Sequence, residues 1–180
     1  MPSSKQSFLG NLTLSPAAVK LLMNVWPPFV GMRIHVVKIS ADWRHVRIRM
    51  KLGLLNRNFV GTHFGGALFA MVDPFCMIPM MQVLGPDYLV WDKAGRIDFV
   101  APGRGTVYAD IHLTDAQVEE ARARTADGDK FEPTYVVEVV DSKGTLVARV
   151  EKTLYIRKRR EAQGAGAAGR SPGARAKGVQ

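Results

Sequence analysis

Apolar and polar residues alternate with period two from 46 to 52. Val46, Ile48, Met50 and Leu52 are interleaved with Arg47, Arg49 and Lys51, as an antiparallel strand with one solvated face requires. The same period runs through 32–40, and Ala41-Asp42-Trp43 between the two stretches predicts a hairpin connection. Four further strands are predicted at 89–100, 105–113, 135–140 and 145–157. Asp141-Ser142-Lys143-Gly144 joins the last two as a tight turn.

The pattern changes in three places. Ser15 suits a helix N-cap and Pro16 a first turn, so a helix is predicted there, stopped by Pro27-Pro28. A short helix is predicted over 115–122, opening on the acidic cap of Asp115. From Gly65 to Leu84 almost every residue is apolar, which predicts one long buried helix ending at Gly85-Pro86. A helix apolar on every face needs a sheet wrapped around it. The expected fold is therefore α+β: a strand hairpin, one long helix, then an antiparallel meander closing a sheet around it. No internal repeat is visible. The domain boundaries read as an N-terminal segment over 1–13, one domain over 14–159 and a tail over 160–180.

Charge refines this picture at the C-terminus. The chain of 180 residues has a formal net charge of +9, but from Arg157 onward there are seven Lys/Arg and one Glu, leaving only +3 for the rest. The tail is Gly/Ala-rich and lacks large apolar residues, so disorder is expected there. Its charge suits nucleic acid or an acidic membrane, although a solubilising role is the simpler reading and no nucleic-acid partner is expected. Cys76 is the only cysteine, which precludes an intrachain disulfide and suits a reducing cytoplasm. The Gly65–Leu84 run reaches the roughly 20 residues that span a bilayer. Asp73 near its centre, with Pro74 and Pro79, argues for a core helix and against a membrane span.

Asp73 is the residue that needs a chemical explanation. A carboxylate in so apolar a segment must be paired, hydrogen-bonded or neutralised, and a cleft that uses a carboxylate is one such setting. In Asn56-Arg57-Asn58-Phe59-Val60-Gly61-Thr62-His63-Phe64-Gly65-Gly66, followed by Asp73 seven residues beyond Gly66, the chain resembles the hotdog-fold acyl-CoA thioesterases. It is similar in particular to their phenylacetate-pathway (PaaI-like) branch. The resemblance covers 14–159 and excludes the tail. In that branch a His directly precedes the glycine pair; here Phe64 does, and His63 lies one residue earlier, a shift that redirects a helical side chain by about 100°.

The resemblance implies a hotdog fold and a thioester hydrolase acting on acyl-CoA. It also implies a homodimer or dimer of dimers, with no cofactor beyond the coenzyme A of the substrate and no metal. It places the carbonyl oxygen at the amides of Gly65 and Gly66, and makes Asp73 a general base or nucleophile across the dimer interface, activation of water being the reading adopted. His63 and Asn56 are the remaining candidate site residues; Asn56 or Asn58 could position water or the thioester, and Asn56 is preferred. Unpaired N–H groups and a positive dipole end give the physical reason for the glycines. His35, His45 and His112 show no metal-ligand spacing in sequence. The alternative reading is a non-catalytic hotdog protein that binds acyl-CoA or fatty acyl groups.

Overall fold

The computed structural model describes residues 14–159. The N-terminal segment over 1–13 and the basic tail expected over 160–180 lie outside the described residues. Helix α1 (Pro16–Val25) begins as expected, with Ser15 Oγ accepting the Ala18 N–H at 3.2 Å. The proline pair behaves differently. Pro27-Pro28 open a second helix, α2 (Pro27–Met32), instead of only ending the first. A proline's fixed φ suits a first turn, where its missing N–H is not needed. Arg33 then takes a left-handed conformation and turns the chain into β1 (Ile34–Ile39).

Next come β2 (His45–Lys51), a 3-10 turn at Leu54–Asn56, α3 (Gly65–Ala70), α4 (Asp73–Leu84), β3 (Tyr88–Phe99) and β4 (Thr106–His112). The chain continues through α5 (Asp115–Arg124), β5 (Lys130–Phe131), β6 (Thr134–Asp141) and β7 (Leu146–Lys158). Thr114, not Asp115, caps α5, in a reciprocal pair with Gln117.

The strands form one antiparallel sheet in the order β1-β2-β4-β6-β7-β3, with β5 also pairing β7. The expected meander is therefore corrected: β3 pairs β7 at the far edge, and β4 pairs β2. The reason is the helix length. Gly65–Leu84 has 20 residues, about 30 Å at 1.5 Å per residue, enough to carry the chain across the sheet before β3 begins.

That helix has one break. Pro74 has no N–H to donate, and the ladder shortens around it: Val72 N–H bonds the Phe69 carbonyl and Phe75 N–H the Val72 carbonyl, both at 3.0 Å. The single expected helix is thus α3 and α4 end to end, with Asp73 at the start of the second. Met71, Val72, Phe75 and Met80 are fully buried against inward residues of the sheet such as Ile48, Val150 and Leu154. Although long and apolar enough to cross a membrane, this is the core helix.

The two sheet edges differ. Helix α1 covers β1 through Asn24, whose side chain donates to the Val36 carbonyl at 3.1 Å and accepts the Val36 N–H at 2.7 Å. The outer edge of β3 has no partner strand among the described residues. Asn24→Ala removes both edge bonds and is expected to lower stability by about 1–2 kcal/mol, read as a lower urea midpoint with unchanged slope.

Candidate active site

The glycine turn and the loop before it border one cleft of about 530 Å³, lined among others by Asn58, His63, Gly65, Leu68, Phe99 and Arg104. Phe64 contributes no side-chain cap to α3, and the amides of Ala67 and Leu68 both turn back to its carbonyl. The amides of Gly65 and Gly66 stand ahead of the ladder, with no protein acceptor among the described residues. A Cβ at Gly65 would lie 2.6 Å from the Phe99 ring, so glycine here lets β3 close over the helix start.

Asn56 lies apart from this cleft, and its amide is fully engaged by backbone. Its Nδ2 donates to the carbonyls of Met32 (2.7 Å) and Lys51 (3.0 Å), and its Oδ1 accepts the Gly53 N–H at 2.7 Å. It clamps the loop. Asn58 is the asparagine that borders the cleft, and it bonds Thr62 Oγ1 at 2.9 Å.

His63 is buried. Its Nε2 faces the Gly105 carbonyl at 3.2 Å, while Nδ1 is buried without a hydrogen-bond partner. Burial holds this imidazole below its ordinary pKa, opposed by the Gly105 bond. It is a neutral strut between the loop and the β3–β4 connection.

Asp73 meets a partner that the sequence reading did not single out. Lys152 Nζ lies 2.5 Å from Asp73 Oδ1 and 3.1 Å from Asp92 Oδ1, with its side chain only 3% exposed against 48% for Asp73. The Phe69 ring centroid is 5.2 Å from the same ammonium. The signal for Lys152 was available: in β7 it falls in phase with the inward residues Ala148, Val150, Leu154 and Ile156. Asp92 likewise follows the inward Tyr88 and Val90.

A bulge completes the cluster. Asp92 pairs Leu154 and Ala94 pairs Thr153, so Lys93 is extra and the alternation of β3 flips there. Asp92 before the bulge and Gly95 after it both share the face of Lys152, with Gly95 directly opposite it. A Cβ at Gly95 would come 2.5 Å from Phe69, so the missing side chain makes room for that ring.

Two carboxylates around one ammonium leave one excess negative charge. Burial raises the Asp92 carboxyl above its ordinary pKa, and Lys152 partly offsets this. For Lys152, burial acts downward, but the bond to Asp73 and the charge of Asp92 outweigh it and raise the pKa. Cys76, packed nearby, is pushed up to about 12, chiefly by burial, which makes it an inert thiol.

Strand pairing also gathers residues far apart in sequence. His45, Asp110 and His112 bring ligand atoms within 4.8 Å of one another. His45 Nε2 lies 2.8 Å from Asp110 Oδ1, and Arg47 reaches the other oxygen at 3.4 Å. The two imidazoles stack at 4.3 Å with 8° between planes. Of the helix methionines, Met71 and Met80 are core, and Met77 and Met81 are half-buried.

A family model for a domain of unknown function, DUF4442, matches residues 16–156. The chain belongs to the DUF4442 family. Solved structures share its fold. A protein of unknown function from Pseudomonas aeruginosa, described as a probable thioesterase, is 18% identical. The match covers 81% of this chain and 97% of that one, with a TM-score of 0.69. A thioesterase from Haemophilus influenzae is 13% identical over 85% and 97% of the two chains, with a TM-score of 0.60. A Staphylococcus aureus thioesterase enzyme is 13% identical over 72% and 98%, at 0.53. Comparison with curated proteins finds no match. The DUF4442 domain here is a hotdog fold, and likeness at these identities carries the fold alone.

Two outcomes follow for this DUF4442 chain. Lys152→Met leaves Asp92 without its cation and is expected to reduce stability by about 3 kcal/mol. Adding Asp92→Asn should restore part of that loss in a double-mutant cycle. His63, with its pKa depressed by folding, resists a proton that the unfolded chain accepts. Stability should therefore fall as pH drops below about 6.5, and His63→Gln should flatten that slope in denaturation curves across pH 7 to about 5.

Proposed function

We propose that this DUF4442 protein is an acyl-CoA thioesterase that hydrolyses an acyl- or aryl-CoA thioester as a homodimer or dimer of dimers. The observation that carries this reading is one helix bearing both working parts. Unpaired Gly65 and Gly66 amides stand at its start, Gly65 on a cleft, and the half-exposed Asp73 carboxylate is anchored to buried Lys152. Eight residues along a helix separate Gly65 from Asp73 by about 12 Å. One thioester carbon cannot meet both in a single chain. Antiparallel packing of two such helices brings Gly65 of one protomer to Asp73 of its partner. The open edge of β3 and the exposed Phe64, Trp91 and Phe99 support that pairing.

In this mechanism the Asp73 carboxylate takes a proton from water, and the resulting hydroxide attacks the thioester carbon. The Gly65 amide, with Gly66 beside it, receives the developing oxyanion. Collapse of the tetrahedral adduct breaks the carbon–sulfur bond, and the coenzyme A thiolate leaves and takes up a proton. Lys152 keeps the Asp73 carboxylate aimed, as a positioning residue. Arg104 at the cleft suits the phosphates of coenzyme A, which arrives as part of the substrate, so no cofactor is invoked.

The spacing of Gly65-Gly66 and Asp73 supports placement near the PaaI-like branch, with His63 a strut and Asn56 a clamp. The lone buried Cys76 supports a cytoplasmic setting. The second reading, binding without turnover, is favoured by the Lys152 ion pair, because one Asp73 oxygen is already engaged by the ammonium.

Thiol release from short, long and aromatic acyl-CoAs tests this. Asp73→Asn should fold, retain ligand and lose at least about 100-fold in kcat, in line with removal of a general base. A wild-type protein that binds acyl-CoA but releases no thiol would instead establish the carrier.

A further inference from the structure

One face of the molecule is unusual in both its polarity and its charge. From Leu21 to Met32 there is no charged residue, yet Leu21, Val25, Trp26 and Val30 are all exposed. Leu54 and Leu55 of the 3-10 turn are 86% and 76% exposed. The two groups are joined: Asn56 Nδ2 bonds the Met32 carbonyl at 2.7 Å, which ties the turn to the end of α2. The two exposed apolar groups therefore lie side by side. Isolated exposed apolar residues are ordinary, but a joined set marks an interaction site.

The part of the chain that carries it is basic. Residues 14–72 carry eight Lys/Arg and a single acidic residue, Asp42, a net +7; residues 73–159 carry twelve and fourteen, a net −2. Beside the patch lies a cleft of about 480 Å³ lined by Val30, Arg33, His35, Arg49, Lys51 and Tyr108. Strand pairing builds its floor, setting His35 and Tyr108 opposite Arg49 on the two flanking strands. Arg33, Arg49 and Lys51 make no ion pair among the described residues. His35 is held below its ordinary pKa by burial and then by Arg49 and Lys20, which registers the positive field there.

We propose that this face docks on an anionic lipid surface, with Leu21, Val25, Trp26, Leu54 and Leu55 entering at headgroup depth and Arg33, Arg49 and Lys51 meeting lipid phosphates. Apolar side chains with a tryptophan, rimmed by basic residues, are the chemistry that holds an interfacial segment. A second copy is a poor occupant, since it would press the Arg33, Arg49 and Lys51 clusters of two copies together. Nucleic acid would meet the cations but leave the apolar centre without a partner. The patch lies at the β1 end of the sheet and β3 at the other, so pairing along β3 leaves it uncovered.

Co-sedimentation of the full chain with phosphatidylcholine vesicles, with and without phosphatidylglycerol, tests the proposal. Binding should require the anionic lipid and weaken with salt. Arg33→Gln and Lys51→Gln should each weaken it about fivefold. Leu54→Ser with Leu55→Ser should weaken it at least about tenfold while keeping the wild-type denaturation midpoint. Trp26 fluorescence should shift to the blue on binding, and Trp26→Phe should remove that change. No vesicle binding at low salt overturns the proposal. So does binding indifferent to the Leu54/Leu55 variant, or stronger capture by duplex DNA that ignores it. A change of oligomeric state in that variant would make the patch an interface between copies and overturn it equally.

Discussion

A helix with no polar face cannot rest on the outside of a protein. From Gly65 to Leu84 the chain has almost no polar side chain, and the fold buries about half of it against the sheet. The sheet curls around α3 and α4, and its inward residues form the core with Met71, Phe75 and Met80. The same helix, about 30 Å long, delivers β3 to the edge opposite the first hairpin. It therefore sets which strands pair, which edge stays open and which residues face the interior.

The costly buried charge is Lys152 on β7, whose side chain is almost fully enclosed while Asp73 stays half-exposed. Asp73 and Asp92 compensate it, and a bulge at Lys93 turns Asp92 and Gly95 to that side. Such a buried ion cluster adds little net stability compared with apolar residues of the same size. Its value lies in orientation: Asp73 is anchored by one oxygen while the side chain stays half-exposed. Asn56 shows the complementary case, a buried polar group completely satisfied by backbone and structural for that reason.

Charge divides the molecule into two parts. The first half of the fold is strongly basic and carries the apolar surface of α1, α2 and Leu54–Leu55. The second half is nearly neutral and carries the open β3 edge and the Lys152 cluster. The glycine turn stands between the two halves.

Local signals were legible where local chemistry decides them. Period-two alternation located β2 and, within a residue or two, β3, β4, β6 and β7; Ser15 located the start of α1; the unbroken apolar run located the core helix and made Asp73 conspicuous. Pro27-Pro28 misled because proline both ends a helix and begins one, and only packing chose the second use. The pairing of β3 with β7, the meeting of Lys152 with Asp73 across 79 positions, and the stacking of His45 on His112 required the folded sheet. Periodicity tells a residue which face it occupies. It does not say which strand will lie beside it, because that depends on where a long helix sets the chain down.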